Sequence, residues 1–485
     1  MAERAPSTPS LLISEHPSIL SPRRWRLRYR HRVLIARSIL PFTWPILIEL
    51  TCVVLIGIVT TVLVSKIGKA AIAAVGLSNN ITYVVLSLFS AIALGGSVLI
   101  AQAFGHHDKQ TIRQNAAQTL NLSIVISLLC SGIMYFFTPS ILAAVASQAD
   151  PDVLIQADQY LKMVALSYPA IAISLSGSSI LRATGDSRTP AKTNVLMNIL
   201  NIIISLPLIY GIELFHWSGL GILGAGIGIC AARWIGAGMI LWALTLNRSQ
   251  HVTFTALCQP FKRNVIKEIL LIGVPTSVES LMFNIGKLIT QVMVAGMGTD
   301  VMAGNIITFS ILLFVNIPGN ALSTAATLLV GKRLGQGRSH IAQLEVTLIL
   351  ILSTCALATL SLLLIPLIPL IGSLYSHDPA VIHIVKNLIE LNATMILLWS
   401  PSFILPAAFK GAKDVKYSMW TALLSMWGCR IVLGYCLGIQ MGWGIYGIWL
   451  GMYADWAIKG TLYLYRLFSH RWLNKYEQNR TLSAS

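Results

Sequence analysis

The chain has 485 residues, of which 55% are hydrophobic and 11% charged, against about 25% charged in an average soluble domain. With a mean hydropathy of +0.72, this excess of apolar side chains belongs in lipid, and it excludes a soluble enzyme, a disordered protein and a disulfide scaffold. The formal charge of +17 raises the question of nucleic acid, which the distribution of that charge along the chain answers.

Residues 1–37 read as a basic tail, Arg-rich and without the short apolar core or A-x-A site of a cleaved signal. Apolar runs long enough to cross about 30 Å of hydrocarbon then follow at 38–62, 78–104, 119–140, 160–181, 193–212 and 219–246, a first lobe over 38–246. A short basic linker, 247–267, leads to six more at 268–293, 304–330, 346–371, 384–409, 417–438 and 443–465, a second lobe over 268–465. Residues 466–485 form a second polar tail. The expected fold is an all-α polytopic membrane protein with twelve transmembrane helices.

If both termini are cytoplasmic, the tails and the even-numbered loops hold 27 of the 35 Lys and Arg residues. Among them are Arg182, Arg333 and Lys410, placed in inner loops. The outer loops have few basic residues but carry Asp150, Asp152, Asp300 and Asp378. This is the positive-inside asymmetry, so the basic charge orients the protein in a plasma membrane and meets anionic lipid. No basic stretch alternates with aromatics in a soluble segment, so no nucleic-acid partner is expected. The seven cysteines form no C-x-x-C pair and read as packing residues.

The chain repeats itself. A shift of 230 residues aligns Pro45 with Pro275, Glu49 with Glu279, Gly68 with Gly298, Ala73 with Ala303 and Gly105 with Gly335. A shift of 228 sets L-R-A-T-G-D at 181–186 on F-K-G-A-K-D at 409–414, and one of 223 sets G-L-G-I-L-G from Gly219 on G-W-G-I-Y-G from Gly442. Six spans per repeat is an even number. Both copies therefore run in the same sense, related by a pseudo-two-fold axis along the membrane normal, the parallel-repeat plan of many secondary transporters.

An ionisable group inside a span is a candidate for function, because its burial is costly. Apart from Glu268 at the very edge of the seventh span, there are four acids within the spans so drawn: Glu49, Glu279, Glu390 and Asp455. Glu49 and Glu279 lie about 17 Å deep at 1.5 Å per residue, four residues after the helix-kinking prolines Pro45 and Pro275. A carboxyl alone at that depth favours its neutral form, so it can take and release a proton; the plainer alternative is a hydrogen-bonded Glu that steadies the kink. Thr60 and Thr290, eleven residues on, share the face of each Glu. Asp455 and Arg430 read as a structural pair between the last two helices. Arg233 pairs or snorkels, and Lys287 and Glu390 sit nearer the outer face. Asn194, Asn198 and Asn201 line one face of span five, with Asn284, Asn305 and Asn316 as second-lobe counterparts, suited to cation coordination or to interhelical hydrogen bonds. Because the chain has no G-x-x-x-x-G-K-[ST] loop and no H-E-x-x-H, G-x-S-x-G or clustered His or Cys, it is read as neither an ATPase nor an enzyme, and an ion gradient is the expected energy source.

With these repeats stand P-I-L-I-E at Pro45, G-G-S-V-L-I-A-Q-A-F-G at 95–105, L-R-A-T-G-D-S-R-T-P at 181–190, G-V-P-T-S-V-E at 273–279, I-P-G-N-A-L-S-T-A-A-T-L-L-V-G-K-R-L-G-Q-G at 317–337 and G-I-W-L-G-M-Y-A-D-W ending at Trp456. In this order and at these spacings the chain resembles the multidrug and toxic compound extrusion (MATE) family. The resemblance implies a monomeric twelve-helix exporter that exchanges inward H+ or Na+, with no other cofactor, for organic cations or drug-like molecules. It also implies that Asn201 lines the first-lobe cavity. The chain departs from the family at Val59-Thr60-Thr61, where a V-D-T pattern is common, and at Ser205, four residues after Asn201, where an acid is frequent. The first-lobe proton site of the family therefore does not carry over, and no Na+ site is assigned. Three rival readings are a lipid-linked or polysaccharide flippase of the same superfamily, a lipid-acting membrane enzyme and a receptor.

Overall fold

The computed structural model describes residues 22–146, 150–211, 219–246, 260–368, 370 and 378–484. The first lobe comprises α1 (Pro22–Ser65), α2 (Lys69–Gly105), α3 (Lys109–Val145), α4, whose limbs Pro151–Leu166 and Tyr168–Ala183 meet at 47°, α5 (Arg188–Tyr210) and α6 (Ile222–Leu246). The second comprises α7 (Arg263–Ala295), α8, whose limbs Thr299–Val315 and Ile317–Gly335 meet at 50°, and α9 (Ser339–Leu364). Next is α10, in which a 3-10 turn at Ile396–Leu398 joins Pro379–Met395 to Trp399–Gly411. In α11, the α-helical Val415–Ser425 continues into π-helical Met426–Leu433 and Cys436–Gln440; α12 is Gly444–Phe468, and a short α13 (Arg471–Ala484) follows.

All twelve expected spans are present, with ends moved by several residues. α1 starts at Pro22, so half of the basic tail continues the first helix. Of the linker, 247–259 lie outside the described residues, but its last residues are tied to the first lobe: Gln118 of α3 donates to the Pro260 carbonyl at 2.9 Å and accepts from the Lys262 N–H at 3.0 Å. The C-terminal tail is folded. Trp472 of α13 is fully buried against Phe409, and Asp414 holds both Arg466 of α12 (2.6 Å) and Lys475 of α13 (2.7 Å).

The repeat is visible in the backbone itself. Left-handed residues recur at the same corners of both halves: Gly68 and Gly298, His107 and Gly337, Gly185 and Lys413, Gly219 and Gly442, Gly221 and Gly444. The bend of α4 at Ser167 corresponds, at the 228-residue shift, to the 3-10 break after Met395 in α10. Two features of the second lobe have no first-lobe counterpart: α2 stays straight where α8 bends beside Asn316 and Pro318, and α5 stays α-helical where α11 turns π.

Helices of opposite lobes meet through glycine. A Cβ on Gly335 would lie 2.1 Å from the Gln102 carbonyl oxygen, and one on its repeat mate Gly105 would lie 2.2 Å from that of Lys332. Each glycine touching the other's helix is what positions beside a two-fold axis do. Gln102 closes the same place by donating to the Gly411 carbonyl at 3.1 Å. The lobes therefore touch at the end that carries the basic loops. α7 is similarly pressed onto α2, since a Cβ on Gly95 would sit 2.5 Å from the Ile269 carbonyl and one on Gly273 would sit 3.1 Å from that of Ala91. α1 crosses to α8 and α9 without this intimacy, because the repeat mates of Gly273 and Gly95 are Thr43 and Ala325.

Candidate functional site

Neither Glu49 nor Glu279 is alone. Glu49 on α1 takes both of its oxygens to one nitrogen of Arg182, at 3.0 and 2.9 Å, and accepts from the Asn194 amide at 2.5 Å. Its repeat mate Glu279 on α7 is held by Lys410, at 3.1 and 3.0 Å, and by the Ser418 hydroxyl at 3.4 Å. Each carboxylate thus joins three helices, α1 with α4 and α5, and α7 with α10 and α11. The expectation of a solitary carboxyl beside a kink is corrected: Arg182 and Lys410, assigned to inner loops, stand in the last turns of α4 and α10 and reach back into the protein.

Glu279 and Lys410 open onto a second-lobe cavity of about 370 Å³. Its walls are Met282, Phe283, Leu423, Met426, Phe403 and Tyr463, with Asn284, Ser323 and Ser402 as neutral polar groups and Lys459 as a second cation. The second limb of α8, through Ser323, and the π segment of α11, through Met426, border this space. Such irregularities collect at functional sites because they re-aim side chains that a regular helix would direct elsewhere.

Asp455 is fully buried, but its salt bridge is with Lys459, one turn along its own helix at 3.2 Å, and it also accepts from the Ser425 hydroxyl. The expected pair with Arg430 makes no direct salt bridge, and the two charges act on each other only from a longer distance. Arg430 instead lies over the ring of Phe283, 5.4 Å from its centroid, and its Nε and Nη1 have no hydrogen-bond partner among the described residues. Lys287 lies over the same ring at 5.9 Å, and Lys459 over Phe403 at 5.1 Å. Phe403 stacks on Trp399 at 4.6 Å and meets the edges of Phe283 and Trp456, completing an aromatic wall.

Of the remaining candidates, Asn284 joins Glu279 at the cavity and the others do not. Thr290 donates within α7 to the Gly286 carbonyl, and the Thr60 side chain lies outside the described residues. Asn201 accepts from Ser205 in its own helix, and the amide nitrogen of Asn198 has no hydrogen-bond partner among the described residues. Asn305 accepts from the Trp449 indole at 3.0 Å, an interhelical hydrogen bond. Arg233 donates to Ser167 at the α4 bend, at 2.8 Å. Glu390 belongs to an exposed pair with Lys386. The acid that the sequence reading missed is Glu345, with no exposure at all and held by Arg333 at 2.7 Å; it stands one residue before the ninth span as drawn. Among the described residues no group of three His, Cys, Asp or Glu side chains could hold a metal ion.

The profile of the MatE family matches residues 45–206 and 275–436, one copy in each lobe. The uncharacterized transporter YisQ of Bacillus subtilis is 28% identical over 444 residues, covering 90% of this chain and 95% of its own. The probable multidrug resistance protein NorM of Thermotoga maritima is 25% identical over 440 residues, covering 90% and 93%. Among solved structures, the outward-facing conformation of a multidrug resistance MATE family transporter of the MOP superfamily has a TM-score of 0.82 at 19% identity, covering 90% of this chain and 96% of that one. MATE in the bent conformation has a TM-score of 0.82 at 18% identity, covering 94% and 99%.

Proposed function

The chain belongs to the MatE family of multi-pass multidrug efflux transporters, and from that premise we propose that it is an antiporter, not an enzyme, taking up H+ or Na+ at Glu49 as an amphipathic, drug-like molecule leaves the second-lobe cavity. It acts as a monomer in the plasma membrane with its basic end and both termini on the cytoplasmic side, where the charge rule favours them and anionic lipid attends them. No nucleic acid or further cofactor takes part.

The observation that carries this reading is the unequal packing of two repeat-related helices. As a carboxylate, Glu49 draws Arg182 and Asn194 onto α1; a proton on it, or a Na+ taking its charge, dissolves that tie. α1 is then free to bend at Pro45, where the helix already lacks one N–H. α7 has no such freedom, being pressed onto α2 at Gly95 and Gly273. Because α1 packs on α8 and α9 of the other lobe, its bending changes how the lobes meet. Ion and cargo need only favour opposite arrangements of the lobes to exclude each other, which is antiport by alternating access.

In proteoliposomes with an imposed pH gradient, or separately a Na+ gradient, Glu49→Gln is expected to abolish gradient-driven exchange while cargo binding survives. Exchange at the wild-type rate in that variant would remove Glu49 from the mechanism. The resemblance implies an organic-cation cargo. A second reading, a flippase for lipid-linked anions, is favoured by the two cations on the Phe283 ring of the cavity wall that no salt bridge engages among the described residues, Arg430 and Lys287.

A further inference from the structure

We infer that the second-lobe cavity takes an amphiphile with an anionic headgroup, a carboxylate or a phosphate on an apolar body, and disfavours organic cations. The inference rests on the proposal that this cavity holds the cargo.

The charges around the cavity do not balance. Two carboxylates, Glu279 in the wall and Asp455 behind it, stand against four cations, Lys410 and Lys459 in the wall and Arg430 and Lys287 on the ring of Phe283. Each carboxylate is engaged by a lysine, which leaves Arg430 and Lys287 without a salt bridge among the described residues, Asp455 acting on Arg430 only from a longer distance. Arg430 is the more telling of the two. It is 3% exposed, its Nε and Nη1 lack acceptors, and its helix turns π over Met426–Leu433, the segment that contributes Met426 to the cavity wall. A buried guanidinium with unmet donors is costly to keep. A carboxylate or phosphate is the group whose paired oxygens match its planar fork of N–H donors.

A cationic cargo fares worse here on two counts. Its only counter-charges are carboxylates already engaged by lysines, and it would enter beside Arg430 and Lys287. Two of the three aromatic rings in the wall are also taken, since Phe283 carries Arg430 and Lys287 and Phe403 carries Lys459. What remains open to cargo is the ring of Tyr463 and the apolar surface of Met282, Leu423 and Met426, next to an excess of positive charge. That combination recognises an anionic amphiphile. A volume of about 370 Å³ lies in the range of small-molecule sites, so the cavity holds the headgroup and part of the body.

The test is binding without any gradient, so that it is independent of coupling. The full-length protein in detergent is titrated with three matched probes, a dansyl-labelled fatty acid, the corresponding alkyl phosphate and the corresponding alkyl trimethylammonium, read by energy transfer from tryptophan. Both anions are expected to bind at least tenfold tighter than the cation. Arg430→Gln is expected to weaken both anions tenfold or more and Lys287→Gln severalfold, with Arg430→Lys recovering part of the loss and the cation unaffected throughout. Tighter binding of the trimethylammonium, or anion affinity within twofold of wild type in a folded Arg430→Gln, overturns the inference. If Arg430→Gln does not fold, unchanged anion affinity in Lys287→Gln does the same. Displacement of the fatty-acid probe by short-chain phosphatidylglycerol identifies a lipid as the natural source, and displacement by naphthoate a soluble organic anion; displacement by neither overturns the proposal. Anion binding that persists while gradient-driven exchange is absent refutes the antiport reading alone, whereas cation-selective binding refutes this inference alone.

Discussion

The contact between the lobes at Gly335 makes a quantitative prediction for Gly335→Ala. The added Cβ would lie 2.1 Å from the Gln102 carbonyl oxygen, where ordinary contact begins at 3.4 Å, so α2 and α8 must part by about 1.3 Å. Both partners are backbone, and no flexible side-chain tip can yield. Overpacking of this kind costs about 1–3 kcal/mol, charged only to the arrangement in which the lobes touch at the basic end. The balance between closed and open basic ends then shifts by roughly 5- to 150-fold towards open. Spin labels introduced as ketone-bearing residues at Lys109 and His340, one on each lobe, avoid the seven native cysteines and read that distance directly. A long-distance population is expected to grow in Gly335→Ala and in its repeat mate Gly105→Ala, and not in Gly76→Ala, where nothing lies within 4 Å of the new methyl. An unchanged distance distribution in a folded Gly335→Ala would show that this contact does not hold the lobes together.

Asp455→Asn leaves Lys459 buried without its counter-charge and should cost about 3–5 kcal/mol, whereas replacing the pair together, as Asp455→Leu with Lys459→Met, should recover most of it; thermal unfolding of both variants decides, and equal losses would mean the pair is not the cause. Arg333→Met strands the fully buried Glu345 carboxylate and should destabilise by about 3 kcal/mol, and a melting point like that of wild type would refute this account of the pair. Asp108 caps α3, and the Thr111 hydroxyl and the N–H groups of Thr111 and Gln110 hold its carboxyl below the ordinary 3.8. Its folded pKa is the lower one, so its stabilisation is present above the unfolded value and fades as pH falls through the folded one. The gap in unfolding midpoint between wild type and Asp108→Asn should therefore narrow on acidification below about pH 4, and a gap independent of pH would be contrary evidence.

The parts of the fold that depend on local pattern were legible in the sequence. Twelve apolar runs, a 230-residue shift and the prolines at 45 and 275 were enough to read two six-helix lobes, because hydrocarbon forces backbone groups into helices of similar length. The partners of the candidate residues were not legible to the same degree. Arg182 lies 133 residues from Glu49, and a basic residue at a helix end is ordinarily counted with the loop; its long side chain can also turn inward, as it does here. A signal was present, since Arg182 and Lys410 occupy matching places in the repeat just as Glu49 and Glu279 do. For Asp455, adjacency of two helices suggested Arg430, but Lys459 at i+4 was already on the same face and needed no tertiary contact. Glu345 was missed because hydropathy draws a span where the apolar run begins, whereas α9 starts seven residues earlier, at Ser339.

Asp186 and Asp414 are copies of one ancestral position, yet they now hold different things. Asp186 turns to its own helix, accepting from the N–H groups of Arg188 and Thr189 and from the Thr189 hydroxyl. Asp414 makes no such cap and gathers Arg466 and Lys475 from the end of the chain. The first copy can therefore form its corner as soon as α5 is made, while the second must wait for the last segment to be synthesised. The second lobe is finished only when α13 is made, so a stop codon placed after Phe468 would strip Lys475 and the Trp472 cover from the lobe that holds the cavity and leave the first lobe whole.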